Sequence, residues 1–163
     1  MKIYIGSDHV GYELKEKIKK YLSDLSLGYE IEDKGAHEYN KDDDYPDFIR
    51  PLAEAVAGNP ESKGIIIGGS GQGEAIVANK VKGARAVVFY GPKEAVSAVD
   101  ISGKKSADTF EIVKLAREHN NANILSLGLR FMNEDEAKFA CELFLATKFT
   151  MDERHIRRVN KIE

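Results

Sequence analysis

A single carboxylate set behind a run of glycines is the most chemically pointed feature of this sequence. The stretch Gly64 to Lys80 reads GIIIGGSGQGEAIVANK. Ile65 to Ile67 form the β-branched apolar run that a buried parallel strand uses. Gly68, Gly69, Gly71 and Gly73 follow, interleaved with Ser70 and Gln72, and a helix-forming segment starts at Glu74. In such a strand–loop–helix unit, backbone N–H groups converge and the helix dipole adds partial positive charge, so an anion is expected there. A carboxylate beside that cradle is out of place for simple phosphate holding. It suits proton transfer next to an oxyanion. At the start of a helix, Glu74 is expected to stay ionised, as a base must. The glycines do not fit the dinucleotide G-x-G-x-x-G spacing, and no G-K-S/T closes a triphosphate loop. A tight turn that serves only strand–helix packing is the competing reading.

The remaining polar candidates are weaker when each is taken alone. Asp8-His9 reads equally as a site or as a helix N-terminal cap. His119 closes Arg117-Glu118-His119-Asn120 at a helix end, where a C-terminal cap is the simpler account. Arg154, His155, Arg157 and Arg158 form a basic run that reads first as a solvated face. Arg154 and Arg158 nevertheless share a helix side at i, i+4, the spacing of a phosphate clamp. Asp42 to Asp44 read as a solvated run, and His37 carries no signal. Cys141 falls among apolar helix positions and reads as a small core residue.

The elements that must position these groups alternate between strand and helix. Strands are expected at Lys2–Gly6, Tyr29–Asp33, Ile65–Ile67, Ala84–Phe89 and Ile124–Leu127. Helices are expected from Tyr12 to Leu25, Tyr45 to Ala57, Glu74 to Lys80 and Phe110 to His119, with a helical turn at Ala95–Val99. Asn133 with Glu136 forms a capping-box signal for a helix running to Ala146, and Asp152–Ile162 reads as a short basic helix. This alternation implies a parallel sheet covered on both faces. Ligands on such sheets bind beyond the strand C-termini where strand order reverses. Asp8-His9, the glycine loop and Gly128-Leu129-Arg130 all follow strands, and they converge if the first and third strands are neighbours.

The 163 residues suit one domain over residues 1–150, with the basic helix of 151–163 expected to dock on a partner subunit. With 42% apolar and 31% charged residues, the chain has ordinary globular composition. A net charge of −3 argues against general attraction to nucleic acid. One cysteine precludes a disulfide framework within the chain, and no H-x-x-x-H or other metal-ligand spacing is present, so no metal and no cofactor is expected. No apolar run approaches a membrane span and no signal-peptide pattern precedes the first strand, so a cytoplasmic protein is expected.

Taken together, several motifs resemble one family. They are Gly6-Ser7-Asp8-His9-Val10-Gly11-Tyr12-Glu13-Leu14-Lys15, Asp44-Tyr45-Pro46, Gly68 to Glu74, Ala78-Asn79-Lys80, Ala116-Arg117-Glu118-His119-Asn120 and Arg154-His155. In that order, over nearly the whole chain, they resemble ribose-5-phosphate isomerase B and the related galactose-6-phosphate isomerase subunits. The resemblance implies a Rossmann-like three-layer α/β sandwich with a five-stranded parallel sheet. It implies an aldose–ketose isomerase acting on a sugar phosphate, most simply ribose 5-phosphate to ribulose 5-phosphate through an enediolate. A six-carbon sugar-phosphate isomerase and a non-catalytic sugar-phosphate-binding protein are the alternatives.

Residue by residue, Glu74 matches the proton-abstracting glutamate of one branch of the family. Another branch has a cysteine where this chain has Gly68, which leaves Glu74 as the base. Gly69, Ser70, Gly71, Gln72 and Gly73 match the loop that holds the enediolate oxygen. His119 matches the ring-opening acid, with Asn120, Asp8 and Tyr45 as substrate contacts. His9, Arg130, Arg154 and Arg158 match phosphate contacts. The resemblance implies a homodimer or tetramer with active sites shared between chains. The chain is longer than the family usually is around Asp100 to Val113.

Overall fold

Alternation of short β-branched runs with amphipathic segments gives five strands and six helices among the described residues. The structure, a computed structural model, describes residues 1–162. In chain order the elements are β1 (Lys2–Ser7), α1 (Tyr12–Asp24), β2 (Glu30–Asp33), α2 (Tyr45–Gly58), β3 (Lys63–Gly68), α3 (Gln72–Ala78), β4 (Ala86–Phe89), α4 (Glu111–Asn120), β5 (Ile124–Gly128), α5 (Glu134–Ala146) and α6 (Glu153–Val159). A single 3-10 turn, Leu129–Phe131, follows β5.

All strand pairs are parallel, in the order β2-β1-β3-β5-β4. Ile5 lies opposite Ile65, and Ile65 opposite Leu125. The first and third strands are therefore neighbours, and the chain reverses direction across the sheet between them. Ile3, Ile5, Ile65, Ile67, Leu125 and Leu127 face one side, packed by Ile18 and Leu22 of α1, Val113 of α4 and Phe144 of α5. Tyr4, Ile66 and Ile124 face the other, against Ile49, Leu52 and Val56 of α2 and Ala78 of α3. Successive isoleucines of β3 thus fill both cores, each contributing roughly 1.5–3 kcal/mol of burial. Three layers result.

Local chemistry explains the element ends. Asn133 accepts from the Glu136 amide at 2.9 Å while Glu136 accepts from the Asn133 amide at 2.8 Å, the expected capping box. Cys141 is fully buried in α5, as its apolar neighbours implied. β4 begins at Ala86 and not at Ala84: the Ala84 amide bonds to Val81 O and the Arg85 amide to Asn123 Oδ1, so neither is free for the ladder.

The helical turn expected at Ala95–Val99 does not form. Val96 is almost wholly exposed, so such a turn would bury no apolar face to offset its nucleation cost.

Behind the first loop, Lys15 is completely buried and donates to Asp33 at 2.5 Å. Asp33 accepts from the Gly35 amide at 2.9 Å, and Gly35 O accepts from the Ser7 amide at 2.8 Å. This chain of bonds fixes the end of β1 immediately before Asp8. Among the described residues, no helix is long and apolar enough to cross a membrane.

Candidate active site

Adjacency of β1, β3 and β5 brings their three C-terminal loops together. The loop after β3 turns at Gly71, whose φ of +72° favours glycine. Ser126 Oγ donates to Gly71 O at 2.7 Å, anchoring the turn to β5. Arg130 donates its backbone N–H to Gly69 O at 3.1 Å, which seats the 3-10 turn beside the same loop. Gly11 closes the first loop against β3: a Cβ there would stand 2.6 Å from Ile67 O.

The glycines mark where side chains crowd the loop. A Cβ on Gly68 would overlap the Glu74 carboxyl, one on Gly69 would meet Arg130 Cζ at 2.9 Å, and one on Gly73 would meet Tyr45 Oη at 2.7 Å. Glu74, Arg130 and Tyr45 therefore surround the loop at van der Waals distance. Asp8 completes the group. Its Oδ1 accepts from the Val10 amide at 3.0 Å and the Gly11 amide at 3.3 Å. The N-cap of α1 is Gly11, without a side-chain cap bond, so Asp8 organises the loop and does not cap the helix.

Glu74 is only 5% exposed. Loss of water around its carboxyl raises the pKa above the ordinary glutamate value, and the nearby Asp8 charge adds to the rise. Its own backbone amide and Arg130 pull the other way and are outweighed. Burial therefore sets the direction of the shift at this helix start. A buried carboxyl with a raised pKa is what a general base working near neutral pH requires.

His9 follows Asp8, and its partner was not evident from the sequence. Asp43, in the acidic run read as solvated, has a side chain only 7% exposed. Its Oδ1 accepts from the His9 amide at 3.0 Å and lies 2.6 Å from His9 Nδ1. Asp8, His9 and Asp43 each place one potential metal-ligating atom within 4.8 Å of the others. The His9 and Asp43 atoms are bonded to each other, so the set reads as a hydrogen-bonded pair beside Asp8, not as a ligand cage. Gln72 reaches out of the loop to the Tyr90 hydroxyl, at the root of the long β4–α4 connection.

The second group of expected residues lies elsewhere. α4 runs back along the sheet, so its C-terminus reaches the N-terminal strand ends: Arg117 lines a cavity with Met1 and Lys63, and Ala122 leads directly into β5. His119 and Asn120 thus sit at the opposite pole from Glu74. Strands of five or six residues at about 3.3 Å each put on the order of 15 Å between the two groups.

α6 packs against this pole. Thr150 Oγ1 donates to Glu118 O at 2.8 Å. The His119 and His155 rings lie 4.2 Å apart between centroids. His155 is buried; its Nε2 accepts from Arg154 Nε at 3.0 Å. Burial, then His155 and Arg154, lower the His119 pKa below the ordinary histidine value. Arg154 Nη1 is buried without a hydrogen-bond partner. Arg158 is exposed. The expected site residues thus fall into two groups in one chain: Asp8, His9, Tyr45, Gly69 to Gly73, Glu74 and Arg130 at one pole, and His119, Asn120, Arg154 and Arg158 toward the other.

Comparison with known proteins agrees over the full length. The family model described as Ribose/Galactose Isomerase matches residues 3–104 and 106–162. A protein of Mycobacterium tuberculosis named ribose-5-phosphate isomerase B is 39% identical over 160 residues, covering 98% of this chain and 86% of the relative. A putative sugar phosphate isomerase of Bacillus subtilis is 36% identical, covering 99% of this chain and 95% of the relative. The crystal structure of ribose-5-phosphate isomerase B from Mycoplasma genitalium, with bound ribulose-5-phosphate, superposes with a TM-score of 0.83 at 34% identity, covering 99% of this chain and 93% of that one. The Clostridium thermocellum ribose-5-phosphate isomerase B gives a TM-score of 0.81 at 41% identity, with coverage of 99% and 95%. From its motifs, its sheet order and these matches, the chain belongs to the ribose/galactose isomerase family.

Proposed function

We propose that this chain is a metal-independent aldose–ketose isomerase that interconverts ribose 5-phosphate and ribulose 5-phosphate through an enediolate. The carrying observation is the buried Glu74 carboxyl, lifted in pKa and held against the glycine loop at the sheet's switch point. With the sugar ring open, Glu74 takes the proton from C2 of the aldose, and the electrons pass to the C1 oxygen. The carboxylic acid then returns a proton to C1, the hydroxyl proton moves from O2 to O1, and the ketose carbonyl forms at C2. Backbone amides of Gly69 to Gly73 stabilise the enediolate oxygen, each donor contributing roughly 3–4 kcal/mol as in comparable oxyanion holes. Asp8 and Tyr45 contact the sugar hydroxyls, and His9 and Arg130 contact the phosphate.

The second half-site enters from a neighbouring chain. In a cytoplasmic homodimer, or a tetramer built from such dimers, His119 of one protomer opens the sugar ring over Glu74 of another, with Asn120 beside it. Arg154 and Arg158 complete the phosphate seat, and α6 docks at that junction. Two observations support this sharing: the groups stand at opposite poles of one chain, and the buried Arg154 Nη1 lacks the acceptor a phosphate would supply. A six-carbon substrate is the second reading. It rests on the long β4–α4 connection, residues 90–110, which leaves the sheet at Tyr90 beside Gln72. Relative kcat/KM on five- and six-carbon aldose phosphates decides between them.

The test of the assignment is Glu74→Gln assayed on ribose 5-phosphate. Loss of a general base is expected to lower kcat by about 10²–10⁴-fold or more with sugar-phosphate binding retained. A variant with near-normal kcat refutes the role of Glu74.

A further inference from the structure

A buried carboxylate oxygen without a hydrogen-bond partner is costly, and it persists where an adjacent opposite charge compensates it. Asp43 Oδ2 is such an atom. The other oxygen of the same group, Oδ1, accepts at once from the His9 backbone at 3.0 Å and from His9 Nδ1 at 2.6 Å. One carboxylate therefore fixes both the path of the loop and the orientation of the ring. With Nδ1–H directed at Asp43, Nε2 is the remaining imidazole nitrogen for a ligand. The Tyr39 and His9 rings stand nearly perpendicular at a centroid distance of 6.2 Å.

The charges that act on this imidazole come from three loop carboxylates. Asp43 and Asp42 reach it from the connection before α2, and Asp8 from the adjoining residue. All three favour a cation. The hydrogen bond to Asp43 is the largest of these effects, and burial opposes it. The resulting pKa lies above the ordinary histidine value.

We propose that Asp43 is a positioning residue that keeps His9 as an oriented imidazolium, so that its Nε2–H binds the dianionic phosphate end of the substrate. The proposal rests on His9 being a phosphate contact and goes beyond it, because it assigns the strength and pH range of that contact to a residue that does not touch substrate. Two consequences follow. His9 carries its positive charge into the pH range where the sugar phosphate is a dianion, which a free imidazole largely does not. The enzyme also discriminates phosphorylated from unphosphorylated aldoses partly through Asp43.

Asp43→Asn keeps an oxygen acceptor for both bonds and removes the charge. The expected result at pH 8 is a rise of about tenfold in KM for ribose 5-phosphate, with a parallel rise in the inhibition constant of inorganic phosphate, kcat within about threefold, and little change at pH 6. NMR titration of the His9 ring in the unsubstituted protein supplies a reading independent of any folding defect. It should show a pKa above that of free histidine with Nδ1 protonated throughout. An ordinary or depressed His9 pKa overturns the proposal, as does an Asp43→Asn profile with the pH dependence of KM unmoved. His9→Asn separates the two claims. If it leaves KM for ribose 5-phosphate unchanged, the phosphate role of His9 fails and the proposal falls with it. If it raises KM while Asp43→Asn does not, His9 stands and the role of Asp43 is refuted.

Discussion

Gly68→Ala is the substitution most directly specified by the geometry of the site. Gly68 does not occupy the left-handed region, so alanine imposes no backbone strain there. The obstacle is the Glu74 side chain: a Cβ at this position would stand 2.7 Å from Oε2, with Oε1 and Cδ closer still. Restoring ordinary contact requires the carboxyl to retreat by about 1 Å or more, and a misplacement of that size can cost a reaction about 10²-fold. The expected loss is therefore about 100-fold in kcat, or about 2.7 kcal/mol of transition-state stabilisation. Asp8, Tyr45 and Arg130 are not displaced, so KM for ribose 5-phosphate should move by less than about threefold. Steady-state kinetics on the two proteins, with thermal unfolding to confirm a folded variant, provides the assay. A well-folded Gly68→Ala enzyme with undiminished kcat would show that the observed carboxyl position is not the reactive one.

Two further outcomes test the site from other directions. Because burial raises the Glu74 pKa, the acid limb of kcat/KM should fall at a pH above the ordinary glutamate value: the base is lost as pH drops through the raised pKa, and an acid limb at or below that value would contradict the burial account. Mixing inactive Glu74→Gln and His119→Asn proteins under subunit exchange should restore about a quarter of wild-type activity, since half the dimers formed at random are hybrids with one intact shared site. Unrestored activity despite demonstrated exchange would place both residues in the same chain's site.

Which parts of this arrangement could be read from the chain depended on how local their causes are. The Ile65–Ile67 run, the glycine loop and the Asn133–Glu136 capping box each act within a few residues, and each appears where expected. The adjacency of β1 and β3 depends on pairing between distant segments, so the sequence could state it only as a condition. Asp43 was missed because three consecutive aspartates look alike in sequence. Only the folded loop turns the middle one inward onto His9. The upward pull on the Glu74 pKa has a related origin: the helix start is visible in sequence, whereas the desolvation that raises the pKa comes from packing. His119 and Glu74 were joined by resemblance, and α4 separates them along the length of the sheet, which makes a second chain part of the proposed site.

The central claim is that the Glu74 carboxyl carries a proton between adjacent sugar carbons. Isomerisation of ribose 5-phosphate in deuterium oxide, followed by NMR at C1 of the ribulose 5-phosphate formed, examines that transfer at the reacting atoms. The wild-type enzyme should deliver deuterium to C1, with Glu74→Gln giving neither product nor exchange. Turnover without any deuterium at C1, or wild-type exchange rates in Glu74→Gln, would contradict the account.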